Sequence, residues 1–161
     1  MNAGAINETD ICESGSQAPA ATQFHDDAPA VAWLREAGLR PTRQRVSLAE
    51  LLFDKGDRHV TAEILHSEVL EAGVGLSLAT VYNTLNQFTR AGLLRRIGPT
   101  GSRSFFDTNT SVHPHFYLIG EDTLIDVPEP LVLEQMPNAL PGHEIARLDI
   151  IIHICRKSRD A

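Results

Sequence analysis

Between residues 28 and 92 an apolar pattern of helical period runs into a glycine four times, and the last three runs start behind a hydroxyl residue. A Ser or Thr oxygen satisfies one of the backbone N–H groups left open at a helix start, and Gly leaves a helix through the left-handed region without strain. The first run places Val31, Leu34 and Ala37 on one face and stops at Gly38. The second follows Thr42, turns Val46, Ala49, Leu52 and Phe53 inward, and meets Gly56. The third opens at Thr61, carries Glu63 in its first turn and Leu65, Val69 and Ala72 as its stripe, and ends at Gly73. The fourth is capped by Ser77 and closed by Gly92; Leu78, Val81, Leu85 and Phe88 form one stripe, and Thr80, Asn83, Gln87 and Arg90 line the opposite face. Leu93 to Ile97, the turn Gly98-Pro99-Thr100-Gly101, and Ser102 to Phe106 then read as a β-hairpin carrying Arg95, Arg96 and Arg103. Helices followed by a basic hairpin describe a winged helix-turn-helix domain.

A second unit follows. Phe116–Ile119 and Thr123–Val127 read as short strands around Gly120-Glu121-Asp122. Pro128, Pro130, Pro137 and Pro141 leave room for one short helix around Leu131–Gln135. A last strand is expected over Ile145 to Cys155, with Leu148, Ile150, Ile152 and Ile154 on one face and Ile151 adding apolar character to the other. So small a unit cannot cover both faces of that strand alone, which calls for a partner subunit. The expected fold class is α+β: a tail over residues 1–27, a winged-helix domain over 28–107, and a small α/β domain over 108–161.

The net charge of −7 is unevenly spread. Residues 1–30 hold five acids and no base, residues 31–103 hold ten Lys/Arg against seven Asp/Glu, and residues 104–161 hold four against nine. A basic middle segment suffices for nucleic acid, because phosphate attraction depends on the local patch. No run approaches the roughly 18 apolar residues of a membrane span and no basic–apolar leader opens the chain, which reads as cytoplasmic. Cys12 and Cys155 show no CxxC spacing, and Cys155 reads as a buried apolar residue.

Leu78-Ala79-Thr80-Val81-Tyr82-Asn83-Thr84-Leu85, closing with Ala91-Gly92-Leu93-Leu94, resembles the recognition helix of the ferric uptake regulator (Fur) family. Gly38-Leu39-Arg40-Pro41-Thr42-Arg43-Gln44-Arg45 resembles the basic start of that family's second helix, His59-Val60-Thr61-Ala62-Glu63 the start of its third, and His113-Pro114-His115 with Leu124-Ile125-Asp126-Val127 its His-rich dimerisation domain. The resemblance runs from about residue 30 to the end. The family's structural zinc needs two CxxC pairs; here Gly120, Glu121 and Asp122 stand at one and Cys155 is spaced with Ser158 at the other, so that zinc is not expected. A second His-rich site is lost too, since Val112 and Pro114 occupy its interleaved positions. These departures, with Asn83 after the Tyr and Phe105 to Thr110 before the histidines, are similar to the iron response regulator branch of the family, which senses iron through haem. The short Cys-Pro haem motif of some members is missing, since Glu13 follows Cys12.

His113 and His115 stand at i and i+2, so on extended backbone both rings point one way and can ligate one cation. The resemblance brings His59 and Asp107 beside them, although Asp107 sits one residue nearer to His113 than the family's acidic ligand. Three imidazoles and a carboxylate suit zinc, iron or manganese, with haem on His113 and His115 as the alternative ligand. Neutral imidazoles bind the cation, so affinity is expected to weaken as pH falls through roughly 6.5. Tyr82 and Asn83, with Thr80 and Gln87 beside them, are the expected base or thymine-methyl contacts. Arg40, Arg43 and Arg45 are expected on phosphate or in the minor groove, and Arg95, Arg96 and Arg103 along the backbone.

The expected function is a homodimeric regulator of iron or haem genes, mainly a repressor, on double-stranded DNA. A constitutive DNA binder with a vestigial metal site is one alternative. A metal-dependent enzyme is another, although no second acid or base at a recognisable spacing and no phosphate-binding Gly loop supports it.

Overall fold

A computed structural model describes residues 28–98 and 104–157; the expected tail, most of the turn after Gly98, and Arg103 lie outside the described residues. Four helices, α1 (Pro29–Glu36), α2 (Arg43–Phe53), α3 (Ala62–Glu71) and α4 (Leu78–Arg90), alternate with or precede six short strands among these residues: β1 (His59–Val60), β2 (Arg95–Ile97), β3 (Phe105–Asp107), β4 (His115–Leu118), β5 (Thr123–Asp126) and β6 (Ile151–Ile154). The hydroxyl residues cap as their positions require. Thr42 Oγ1 accepts from Arg45 N at 3.4 Å, Thr61 Oγ1 from Ile64 N at 3.3 Å, and Ser77 Oγ from Thr80 N at 3.2 Å. At the end of α4, Gly92 at φ 78° lets the Leu93 N–H reach back to the Phe88 carbonyl, 2.9 Å away.

The main core joins all four helices through Leu34, Leu48, Leu52, Leu65, Leu85 and Phe88, each with no exposed surface. Val81, Thr84, Leu85 and Phe88 form the buried face of α4; Leu78, expected inward, is 41% exposed because it sits in the first turn, beyond the packed neighbours. Two three-stranded sheets complete the described residues. The first runs β1-β3-β2, all antiparallel; the second runs β5-β4-β6, with β4 antiparallel to β5 and parallel to β6. A small apolar cluster of Ile97, Phe105 and Leu124, backed by Tyr117 and Ile151, brings the sheets together.

The second unit departs from expectation in two places. Residues 127–150 form no helix or strand, so the short helix around Leu131–Gln135 is absent: an isolated turn among four prolines has no packed face to repay helix nucleation. The last strand is four residues long because β4, its only ladder partner, is four residues long, with His115 opposite Ile151 and Leu118 opposite Ile154. Cys155, expected buried, lies past the end of that ladder and is exposed. Among the described residues no helix is long and apolar enough to cross a membrane.

A candidate metal centre between two sheets

The two-residue strand β1 positions the first donor. Pairing with β3 sets His59 directly opposite Asp107, and β2 sets Arg95 on the other side of Asp107. In the second sheet, the turn at Gly120 and Asp122, both at positive φ, aligns β5 so that Asp126 lies opposite His115. His113 sits two residues before His115, as its i, i+2 spacing implied. The outcome is a group of five donors, His59, Asp107, His113, His115 and Asp126, whose ligand atoms all lie within 4.8 Å of one another.

All four sequence-derived ligands meet here, and Asp126 joins them. Its Oδ1 lies 3.1 Å from His59 Nε2, 3.0 Å from His113 Nε2 and 3.6 Å from His115 Nε2. Asp107 Oδ2 lies 3.5, 3.2 and 3.5 Å from the same three nitrogens. Donors about 2.1 Å from one cation stand ~3.0 Å apart at right angles and ~3.4 Å apart at tetrahedral angles, so these spacings need little adjustment to hold an ion. Burial is deep for so polar a cluster: Asp107 is fully enclosed and His115 is 1% exposed.

Hydrogen bonding argues in the same direction. His113 Nδ1 faces the Ser111 carbonyl at 3.1 Å, which can only accept, so Nδ1 carries a hydrogen and fixes the tautomer. In a neutral ring, Nε2 then turns a lone pair towards Asp126 Oδ1; two acceptors face each other unless a proton or a cation lies between them. His59 Nε2, Asp107 Oδ2 and both ring nitrogens of His115 are buried without a hydrogen-bond partner. Three of these atoms, His59 Nε2, Asp107 Oδ2 and His115 Nε2, converge on the cluster, where leaving them orphaned is costly and a dication satisfies them together; His115 Nδ1 lies on the far side of its ring. For Asp107, burial opposes ionisation, but the His115 and His59 rings beside it and the hydrogen bond from the Asn109 N–H outweigh it and hold the carboxyl well below the usual range. Two carboxylates and three imidazoles, with no thiolate, suit zinc, ferrous iron or manganese and balance the charge of a dication.

The residues expected at DNA divide into two groups. Arg40, Arg43, Tyr82 and Asn83 are exposed, and a shallow surface lined by Thr42, Gln44, Arg45, Thr80, Asn83 and Gln87 joins the start of α2 to the outer face of α4. Arg45 is pinned there: its Nε and Nη2 donate to Gln87 Oε1 at 3.0 and 2.9 Å, and Nη1 to the Arg40 carbonyl. Arg96 is exposed and bonds Ser104 Oγ. Arg95 is the correction. Expected along the DNA backbone, it is 7% exposed and turned to the second unit, where it donates to Ser111 O, Leu148 O and Asp149 Oδ1. Opposed residues in an antiparallel ladder share a face, so its pairing with Asp107 forces it inward, whatever its charge suggests.

Helices and two small sheets, with a cluster of nitrogen and oxygen donors between the sheets that could hold a cation, define a small α+β protein. The Ferric uptake regulator family model matches residues 36–153. The chain belongs to that family, whose members are metal-responsive transcription regulators and not enzymes. It is 41% identical over 86 residues to the ferric uptake regulation protein of Shigella flexneri, a match covering 53% of this chain and 57% of that protein, so little more than half the relative's length is spanned. Against the corresponding Vibrio anguillarum protein it is 33% identical over 121 residues, 70% of this chain and 80% of the relative. Among solved structures, the ferric uptake regulator from Pseudomonas aeruginosa with manganese superposes at TM-score 0.61 and 27% identity over 81% of this chain and 100% of that one. The Vibrio cholerae regulator shares the fold at TM-score 0.60 and 23% identity over 78% of this chain and 98% of that one.

Proposed function

We propose that this chain is a cytoplasmic, homodimeric, DNA-binding regulator, mainly a repressor of iron and haem genes, switched by a divalent cation at His59, Asp107, His113, His115 and Asp126. The observation that carries this reading is the five-donor cluster: two of its ligands come from the first sheet, two from the second, and His113 from the segment that leads into β4. A cation there ties the helical unit to the second unit, dividing the chain near Asp107. It thereby selects one separation between the two recognition helices of a dimer, which must reach successive major grooves. The cation's contribution is to draw five donors to one point; the protein's is to put them on two bodies.

In this reading α3, α4 and the β1-β3-β2 sheet form the winged helix. Tyr82 and Asn83 reach base edges with Thr80 and Gln87 beside them, Arg40, Arg43 and Arg45 hold phosphate or minor groove, and Arg96 and Arg103 follow the backbone. Dimerisation is supported by the second unit's exposed apolar side chains, among them Ile125, Leu131, Val132, Leu140, Ile145 and Ile154. Missing CxxC pairs, Asn83 and the Phe105–Thr110 run support placement in the iron response regulator branch. Haem on His113 and His115 gains no support, because both Nε2 atoms face carboxylates at 3.0–3.6 Å, a gap sized for an ion rather than a macrocycle.

Tyr82→Ala and Asn83→Ala are expected to lose roughly 1–3 kcal/mol of discrimination between a duplex selected from a random pool and an unselected one, with the fold intact. Fluorescence anisotropy with manganous ion and then with chelator tests both halves of the proposal. Unchanged selectivity in both variants would remove α4 as the reader; affinity indifferent to manganese, zinc, ferrous iron and chelator would leave a constitutive binder with a vestigial site.

A further inference from the structure

Across the first sheet, His59, Asp107 and Arg95 stand in one row on three adjacent strands. The row's first two members face the cation cluster. The third makes a separate connection to the second unit: Arg95 Nη1 donates to Ser111 O at 2.6 Å, and Nη2 to Leu148 O at 3.0 Å and Asp149 Oδ1 at 2.5 Å. From the other side, Arg147 Nε donates to Asp149 Oδ2 at 2.6 Å and Arg147 Nη2 to the Arg96 carbonyl at 2.9 Å. Residues 147–149 are therefore stitched to two successive residues of β2. Burial opposes ionisation of Asp149, but the Arg95 and Arg147 hydrogen bonds outweigh it and hold the carboxyl below its ordinary range. The small apolar cluster of Ile97, Phe105 and Leu124 crosses between the same two units.

We propose that Arg95 and Asp149 form a metal-independent pivot that holds the two units in register, so that cation capture closes a site already aligned at one edge. The physical need for it lies in the cluster. Its imidazole nitrogens lie 3.0–3.6 Å from the two carboxylates, contacts that join the sheets only when a proton or a cation lies between the facing atoms. A guanidinium shared among two carbonyls and a carboxylate is a charge-assisted connection that does not depend on metal. Its donors are in a rigid fork, so it fixes orientation as well as distance. With Arg95 and Asp107 paired across β2 and β3, the pivot lies one strand away from the ligands, and what the cation has to organise is a rotation about that edge. Arg95 and Asp149 are positioning residues: neither belongs to the five-donor group.

The inference rests on the metal-sensor reading for its consequence but not for the connection itself, and two readouts separate them. Asp149→Asn, Arg95→Lys and Arg95→Met are compared with the parent as full-length chains. The first readout is amide hydrogen exchange in chelator-treated protein; the second is zinc affinity by competition with a chromophoric chelator. The pivot predicts faster exchange in residues 109–115 and 147–152 with unchanged protection in α1–α4, and zinc affinity lowered about tenfold in Asp149→Asn, as for loss of an outer partner that orients ligands. Arg95→Met should exceed Arg95→Lys in both effects, since Lys keeps the charge and loses the fork. Parental exchange in those two segments would overturn the proposal, as would a loss of protection throughout α1–α4 in Asp149→Asn, which would make the contact structural support only. Faster exchange together with parental zinc affinity would overturn the positioning role. A parent that binds no zinc would sink the sensor reading, while the exchange data would still decide the pivot.

Discussion

Replacing His113 and His115 together with Ala should leave a folded protein whose affinity for DNA no longer changes with metal. His113 is half-buried at the sheet edge, and both rings spend their Nε2 atoms on the cluster rather than on the core. Two of five donors are lost, so zinc affinity should fall on the order of 100-fold or more, given that even outer partners of such ligands are worth 10–100-fold. The backbone bond from His115 N to Ile150 O survives the change, so β4 keeps its contact with the last strand. Circular dichroism and native mass should match the parent, and manganese or chelator should leave the anisotropy titration with DNA where it was. A double variant that responds like the parent would move the sensor elsewhere, with His143, His153 and Cys155 next in line.

Asp126→Ala should be nearly as damaging to metal binding and far milder to the fold than Asp107→Ala. Both carboxylates face the same three imidazoles, but the Asp126 side chain is 42% exposed and the Asp107 side chain 1%. Loss of Asp126 should lower zinc affinity by ~10–100-fold with little change in the urea unfolding midpoint. Asp107 also accepts from the Asn109 N–H and is the buried counter-charge of the row, so Asp107→Ala should lower both zinc affinity and stability, the latter by about 1–3 kcal/mol. Equal stability losses in the two variants, or parental zinc affinity in Asp126→Ala, would contradict the geometry.

The elements governed by local chemistry were legible in the sequence. Thr42, Thr61 and Ser77 announce three helix starts because a cap needs only a hydroxyl and the three residues after it, and the glycines announce the ends. The pair His113 and His115 was legible from strand periodicity, and His59 and Asp107 through resemblance. What escaped depends on pairing between distant segments. The strand His59–Val60 is too short to signal itself and exists because β3 offers it a ladder. Asp126 stands eleven residues from His115, in a segment whose resemblance to the family marks a strand but not a ligand; only counting the ladder outward from the turn at Gly120 sets the two opposite each other. Arg95 is expected along the DNA backbone because charge alone favours an exposed face, and its burial follows from a side-chain direction fixed by β3 and a carboxylate supplied 54 residues later. The last strand was expected too long for a related reason: apolar alternation records where a strand is possible, but the four-residue length of β4 decides where one forms.

Cobalt(II) titrated into the metal-free protein, with its d–d absorption and the anisotropy of a bound duplex recorded on the same sample, tests the central claim most directly. The account predicts that absorption from a nitrogen–oxygen site, free of thiolate charge transfer, and the change in DNA affinity rise together and saturate at about one cobalt per chain, and that both vanish in the His113/His115 double variant. DNA affinity that stays constant while the cobalt site fills, or that changes while the site remains unfilled, would contradict it.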